Sequence, residues 1–340
     1  MARRAPSLPP LRYLAAAEVE AAMPDLPERL ALAERTMLAL ASGAGELPAK
    51  IGVHPRPEAS FAHAMPAFLR GDAGDGSGDL LGIKWVSGVP ANVERGLPAI
   101  HGLLVVNDPR SGVPIALLDA GPITAQRTAA VSGVAIARFA PRAATDRPPR
   151  AALLGAGVQG RSHLPVLAAL LPRVELAVFD ADPARAAALA EVAGATAGIA
   201  AARVAADPVH ALAGAGVVVT TAAFGPRHGL LQLDALDAAA LVVAVDYDTY
   251  ASAALARGAD LFLTDDRGQF DATRAGGTFF AGFPDPAATL GEVLAAPARW
   301  PRPRGRVLVC HLGVGLADLV FGAAILRGAE RRGLGTLLER

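Results

Sequence analysis

The sequence predicts an α/β fold, a doubly wound parallel sheet joined to a second domain of mixed α+β character, on three observations. From Arg150 onward, apolar strand-like runs alternate with helical stretches. The run "ALLGAGVQG" breaks at Gly155, Gly157 and Gly160 before it turns helical, a strand-to-helix turn of the kind that opens such a sheet. The length of 340 residues also exceeds what one compact core usually covers.

Taken in order, the first part predicts a helix over 15–42, where "LPERLALAERTMLAL" puts Leu30, Ala33, Met37 and Leu40 on one face and "SGAG" stops it. Strand-like pieces follow: "AKIGVHP", "ASFAHAMPAFL", "DLLGIKWVSG", "IHGLLVVND" and "PIALLDAG". Gly, Pro, Asn and Asp clusters separate them, and "NDPRSGVP" reads as a hairpin turn. "TAQRTAAVSGVAIARFA" reads as one long helix of small residues ending at Pro141, and "PRAATDRPPR" as a hinge-like loop. Beyond it, strands are expected at 151–154, 175–180, 216–222, 241–246, 260–264 and 306–311. The closing "RRGLGTLLER" reads as a solvated helix tail.

Composition narrows the function. Hydrophobic residues make up 52% and charged residues 19%, and 32 basic residues balance 32 acidic ones, so no broad basic surface is expected for nucleic acid or an anionic membrane. "MARRAPSLPP" lacks the apolar stretch of a signal peptide, and no 18-residue apolar run suggests a membrane span. Cys310 is the single cysteine, which excludes an intrachain disulfide and a cysteine metal cage. A cytoplasmic location is the expectation. The seven histidines show no metal spacing, so no metal is expected, and neither a nucleophile elbow nor an activated cysteine is apparent.

The glycine turn carries the first chemical signal. Gly155 permits the tight turn, Gly157 lets backbone N–H groups of Val158 and Gln159 approach a pyrophosphate, and Gly160 lets helix and sheet pack closely. Asp180, ending the next apolar strand, would accept from ribose hydroxyls and repel a 2′-phosphate, which favours NAD(H) over NADP(H). The competing interpretation is a set of turn glycines with Asp180 as a helix cap before Pro183. Pro165 should kink the helix mildly. Thr220, Thr221 and Phe224, in "VVVTTAAFG", are candidates to line the cofactor.

From "LPAK" at 47–50 through "GIKWV", "ITAQRTAA" and "GAGVQ" to "GVGLADL" at 313–319, the chain resembles the ornithine cyclodeaminase and mu-crystallin family. The resemblance implies a Rossmann domain, expected at 126–311, and a substrate and dimerisation domain, expected at 1–125 and 312–340. It also implies a homodimer and chemistry at the C–N bond of an amino or imino acid, with hydride exchange at the nicotinamide. Carried over to this sequence, it puts Lys84 and Arg127 on the substrate carboxylate and makes Asp248, in "LVVAVDYD", the proton carrier at the substrate nitrogen.

The residues themselves leave alternatives. Strand alternation turns Lys84 away from Ile83 and Trp85, towards a solvated strand face or a site. Arg127, a planar fork in an apolar helix, wants an anion, either a ligand carboxylate or Asp119 or Asp108. Asp246 competes with Asp248 from the same strand. Asp318 is either a helix-cap acid or a cleft residue. Two positions depart from the family's pattern: Lys50 stands where an arginine clamp is common, and His63 stands where ornithine-cyclising members carry an acid. His63 is either a substrate-side residue or a packed histidine. The missing acid argues against ornithine. The expected activity is an NAD(H)-dependent amino-acid dehydrogenase or imine reductase. The alternatives are a cyclodeaminase-type ammonia lyase on catalytic NAD+ and a small-molecule binding protein like mu-crystallin.

Overall fold

The structure, a computed structural model, describes residues 8–56, 59–71, 76, 78–141, 147–223 and 228–340. Phe224 and residues 142–146 of the expected hinge lie outside the described residues. In chain order the elements begin with β1 (Leu11–Leu14), α1 (Ala16–Ala21), α2 (Leu26–Ser42), β2 (Gly45–Glu46), β3 (Ile51–Val53), β4 (Phe61–Leu69) and β5 (Leu80–Gly88). Next come β6 (Ile100–Asn107), β7 (Pro114–Asp119), α3 (Ala120–Phe139), β8 (Arg150–Leu154), α4 (Val158–Leu170), β9 (Val174–Phe179), α5 (Pro183–Gly194) and β10 (Ile199–Val204). They continue with α6 (Pro208–Leu212), β11 (Val217–Thr220), β12 (Leu241–Ala244), α7 (Ala253–Gly258), β13 (Leu261–Thr264) and α8 (Arg267–Ala275). The last are β14 (Ala288–Thr289), α9 (Leu290–Ala295), β15 (Val307–Cys310), α10 (Gly315–Arg331) and β16 (Thr336–Leu338). Residues 1–32, 42–124 and 314–340 form one compact unit, and residues 33–41 and 125–313 form the other.

The first unit is built on a mixed sheet of order β16-β1-β7-β6-β5-β4-β2, with β3 also paired to β4. Strict alternation gives β5 two faces. Lys84, opposite Met65 and Leu104, is buried on one, and Trp85, opposite Ala64 and Leu103, is 48% exposed on the other. Helix α10 lies on the Lys84 face because glycines admit it: a Cβ at Gly82 would sit 2.8 Å from the Leu319 side chain, and one at Gly322 would run into Leu104. Leu316, Leu319, Phe321 and Ile325 of α10 are fully buried, each worth about 1.5–3 kcal/mol of apolar burial. Pro66 in β4 lacks a donor, and it falls in the gap between the segments paired with β2 and with β3. The expected hairpin turn is present: Asp108 accepts from the N–H groups of Arg110 and Ser111 at 2.8 and 2.9 Å.

Several expectations are corrected here. The single helix over 15–42 is two, α1 and α2, because Pro24 removes a donor and disfavours helical backbone at Met23. The tail is not helical to its end: α10 stops at Arg331, Gly333 and Gly335 take φ of 63° and 94°, and β16 pairs antiparallel with β1. Neither β1 nor β10 was expected. The long helix starts at Ala120, shortening the strand before it to Pro114–Asp119.

The second unit carries an all-parallel sheet of order β10-β9-β8-β11-β12-β15-β13-β14. Its central strands β11, β12, β13 and β15 are buried throughout, as the runs "VVVT", "LVVA", "LFLT" and "VLVC" require for a sheet covered on both faces. The winding direction reverses between β8 and β11, so the carboxyl ends of these two strands flank the switch point where such sheets take ligands. Helix α4 runs on through Pro165 as one element.

Candidate active site

The switch point is where the glycine turn falls. Gly155 takes φ of +111°, and a Cβ there would lie 2.6 Å from the backbone of Thr221. A Cβ at Gly160 would run into the Gly155 carbonyl oxygen. Gly157, by contrast, has nothing within 4 Å of a Cβ position, and it caps α4 without any side-chain hydrogen bond. Val158 beside it is 71% exposed, while Gln159 is half-buried. The first turn of a 13-residue helix therefore opens outward with its N–H groups, as a phosphate site requires.

Three neighbours fix this turn. Asp180 accepts from the N–H of Ala156 at 2.6 Å and of Asp182 at 2.9 Å, so it holds the loop from the end of β9. The Thr221 hydroxyl donates to the Gly155 carbonyl at 2.9 Å, and the Thr220 hydroxyl donates to Asp246 at 2.6 Å. Both threonines are buried and act on the wall of the loop through these bonds. Below α4, His163 Nδ1 lies 2.6 Å from the Gln159 carbonyl, and its Nε2 lies 2.8 Å from Ser132 Oγ, which is 2.8 Å from His311 Nε2. The carbonyl accepts only, so Nδ1 of His163 carries the proton and Ser132 donates to Nε2. Burial pushes the His163 pKa down to about 4, so it is neutral. No sequence signal marked this His–Ser–His chain, because its members are far apart along the sequence.

At the carboxyl end of β12 stand both candidate aspartates. Asp246 accepts from Thr220 and, at 3.0 Å, from the Ala222 N–H; burial, opposed by those bonds and aided by Asp248, pushes its pKa up to about 7. Asp248 accepts from the Phe280 N–H at 2.7 Å and from His228 Nδ1 at 2.8 Å. Tyr247 and Phe280, adjoining these contacts, both adopt left-handed backbone, with φ of 59° and 62°. His228 escaped the sequence reading, which tested histidines for metal spacing, and the isolated "PRHG" offers no periodicity. Cys310 is buried, and burial together with Asp246, Asp248 and Asp265 raises its thiol pKa. Arg127 is buried, with its guanidinium against Gly313: a Cβ there, at φ of +82°, would lie 2.6 Å from Nη1. The Gly313 N–H donates to Asp265 at 2.7 Å.

In the first unit, Lys84 Nζ lies 2.6 Å from Asp318 Oδ2 and 3.4 Å from Thr124 Oγ1, with Lys84 and Asp318 buried. The solvated-face reading of Lys84 is thereby corrected, and Asp318 faces this ammonium from the first turn of α10. Asp119 and Asp108, the alternative partners considered for Arg127, accept from the backbone of Gly121 and of the β6–β7 turn. His63 stacks on Phe61 at 4.6 Å and packs over Gly52. Burial first, then the charges of Lys50, His54 and Lys84, pushes its pKa down to about 4. Lys50, half-buried, thus stands near enough to His63 for its charge to act on the imidazole, as does that of Lys84. Among the described residues no group of His, Cys, Asp and Glu is arranged to hold a metal, and no helix is long and apolar enough to cross a membrane.

Comparison with known proteins agrees with this construction. The chain is 31% identical over 334 residues to the nodulation efficiency protein NfeD of Rhizobium meliloti, covering 97% of this chain and 99% of that one. It is 30% identical over 163 residues to the alanine dehydrogenase of Archaeoglobus fulgidus, covering 48% of this chain and 46% of that one. The Δ1-pyrroline-2-carboxylate reductase of Thermococcus litoralis, solved in complex with NADH and L-proline, shares the fold with a TM-score of 0.81 at 23% identity, over 96% of this chain and 99% of that one. The profile of the ornithine cyclodeaminase/mu-crystallin family matches residues 13–297, and the chain belongs to that family.

Proposed function

We propose that the protein is an NAD(H)-dependent oxidoreductase acting on the C–N bond of an amino or imino acid, of the amino-acid dehydrogenase or imine reductase kind. The observation that carries this is the pairing, on one parallel sheet, of an open glycine turn at the switch point with a buried aspartate, Asp248, at the carboxyl end of β12. The residues fit the cofactor: a Cβ-free gap at Gly157, a helix N-terminus whose first residues, Gly157 and Val158, are exposed, and a carboxylate, Asp180, at the end of β9. NAD supplies the acceptor or donor of hydride for the substrate carbon.

The protein's residues do the rest. The N–H groups at 157–160 hold the pyrophosphate, and Asp180 accepts from the ribose hydroxyls and disfavours a 2′-phosphate. Arg127 and Lys50 bind the substrate carboxylate, with Lys84 as a further cation whose charge Asp318 partly offsets. Asp248 gives a proton to, or takes one from, the substrate nitrogen. His63, neutral at physiological pH, supplies no anion for a second amine, which favours monoamino over diamino acids. The relatives named alanine dehydrogenase and Δ1-pyrroline-2-carboxylate reductase work on such substrates by their names. The cytoplasm and a homodimer complete the reading.

The test is a panel of amino acids with NAD+, and of 2-oxo acids with amines plus cyclic imino acids with NADH, read at once for absorbance and ammonia. Stoichiometric change in NADH supports the proposal. Ammonia release on catalytic NAD+ without net NADH would instead assign the cyclodeaminase reaction. Binding of NADH without turnover on any member would leave the binding-protein reading.

A further inference from the structure

We propose that His228 is a proton relay for Asp248, a positioning residue that carries protons between this buried carboxylate and the solvent. The inference rests on the C–N oxidoreductase reading, in which Asp248 exchanges a proton with the substrate nitrogen. The side chain of Asp248 is only 6% exposed, at the edge of the open cavity that it lines with His228, and each turnover must replace or remove one proton there. His228 is 31% exposed and joined to it at 2.8 Å.

The hydrogen bonds fix the direction of the pair. Asp248 Oδ2 is occupied by the Phe280 N–H, and Oδ1 faces His228 Nδ1. An ionised carboxylate only accepts, so Nδ1 facing it carries a proton, and Nε2 is the nitrogen left to exchange protons with the cavity. Among the described residues, Asp248 is the hydrogen-bond partner of this imidazole, and the Phe279 ring braces it edge-on at 5.5 Å. His228, Asp248, Ser252 and Thr278 line an open cavity of about 220 Å³, large enough for several waters. The ionisable groups facing Asp248 are His228, Asp246 and the Cys310 thiol. Asp246 is tied to Thr220 and Ala222, Cys310 is fully buried, and His228 is the exposed member.

In the reductive direction a cavity water, acting as hydronium, protonates Nε2, the Nδ1–H passes to Asp248 Oδ1, and the Asp248 O–H passes to the substrate nitrogen. One N–H bond forms and one breaks on the imidazole, one O–H forms and breaks on the carboxyl, and the pair's electrons are unchanged, hydride coming from NADH. The imidazole is left with its proton on Nε2 and returns to the resting tautomer by exchange with water. Oxidation runs the same steps backwards.

The test uses the full chain with NADH and either pyruvate plus ammonium or Δ1-pyrroline-2-carboxylate. In His228→Ala, kcat is expected to fall about 100-fold, with NADH affinity unchanged, and added imidazole is expected to restore the rate in proportion to its concentration. An undiminished kcat, or a loss that imidazole does not restore, overturns the relay. If the unaltered protein turns over nothing on the panel, the oxidoreductase reading is what fails. The pair is then judged by ¹⁵N NMR of His228: a proton on Nδ1 shared with the Asp248 carboxylate supports it, and an imidazole protonated at Nε2 alone overturns it.

Discussion

Lys84 and Asp318 form an ion pair of 2.6 Å in which neither side chain is more than 1% exposed. A strand lysine reaches that depth because β5 alternates Trp85 outward and Lys84 inward, and because α10 brings its first-turn acid down onto the same face. Removing Asp318 deprives the buried Lys84 ammonium of this carboxylate. Asp318→Ala is expected to destabilise the protein by about 3–5 kcal/mol. The double variant Lys84→Met/Asp318→Leu should recover most of that loss. Urea unfolding of the three proteins checks this; a double variant no more stable than Asp318→Ala would refute it.

Two glycines of one turn should fail in opposite ways. A methyl at Gly157 meets nothing in the protein, so Gly157→Ala should fold with an unchanged melting temperature, yet its methyl occupies the approach of a pyrophosphate. A methyl at Gly160 meets the Gly155 carbonyl, so Gly160→Ala should lose stability by about 1–3 kcal/mol. Thermal melts paired with NADH fluorescence titration separate the two. Tight NADH binding by a well-folded Gly157→Ala would exclude the turn as the phosphate site.

For the proposed homodimer, the exposed face of β5 is the candidate interface. Ile51, Ala64, Trp85 and Leu103 stand on one rung across β3, β4, β5 and β6, and Ile51, Trp85 and Leu103 are 65%, 48% and 38% exposed. An apolar stripe of this kind is costly in water unless covered. On the proposed homodimer with this stripe at its interface, Trp85→Glu is expected to shift the protein from dimer to monomer in sedimentation velocity, because burying the new charge against its symmetry mate would cost far more than the lost contact. A Trp85→Glu protein that sediments as a dimer would move the interface elsewhere.

What could be read in advance follows from how locally each feature is encoded. The parallel sheet was legible because β8, β9, β11, β12, β13 and β15 are short runs rich in Val, Leu and Ala, and β8, β9, β11 and β13 close on Gly155, Asp180, Thr220 and Thr264. β10, "IAAARV", was not, since three consecutive alanines and an arginine on a mostly exposed edge strand carry little strand propensity. β1 and β16 stabilise each other across the length of the chain, so neither carries its own signal. Asp248 could be named from its motif, but its partner His228 could not, because a hydrogen bond between residues on different loops leaves no periodic trace. Likewise, alternation gave the direction of Lys84, whereas its burial depended on α10, far downstream.

Asp246 should make the protein's stability fall as pH rises. Its folded pKa, pushed up to about 7 from 3.8 mainly by burial, means that the folded state keeps a proton that the unfolded state releases. The resulting stabilisation is fully present below 3.8 and is lost as pH rises through about 7, at a total of roughly 4 kcal/mol. His163, buried with a pKa of about 4 against 6.5, acts with the opposite sign: its contribution is present above 6.5 and is lost as pH falls through about 4. The half-buried His63 adds to the His163 side with a smaller amplitude. Across the shared window, then, Asp246 masks the histidines. Asp246→Asn removes the masking term while still satisfying its neighbours, since an amide oxygen can accept from Ala222 N–H and the amide nitrogen can donate to Thr220 Oγ1. Its stability should therefore climb with pH relative to the unaltered protein between about pH 4 and pH 7 and level off above that. Urea midpoints measured across this range provide the check, and parallel curves for the two proteins would show that Asp246 is already ionised in the folded state.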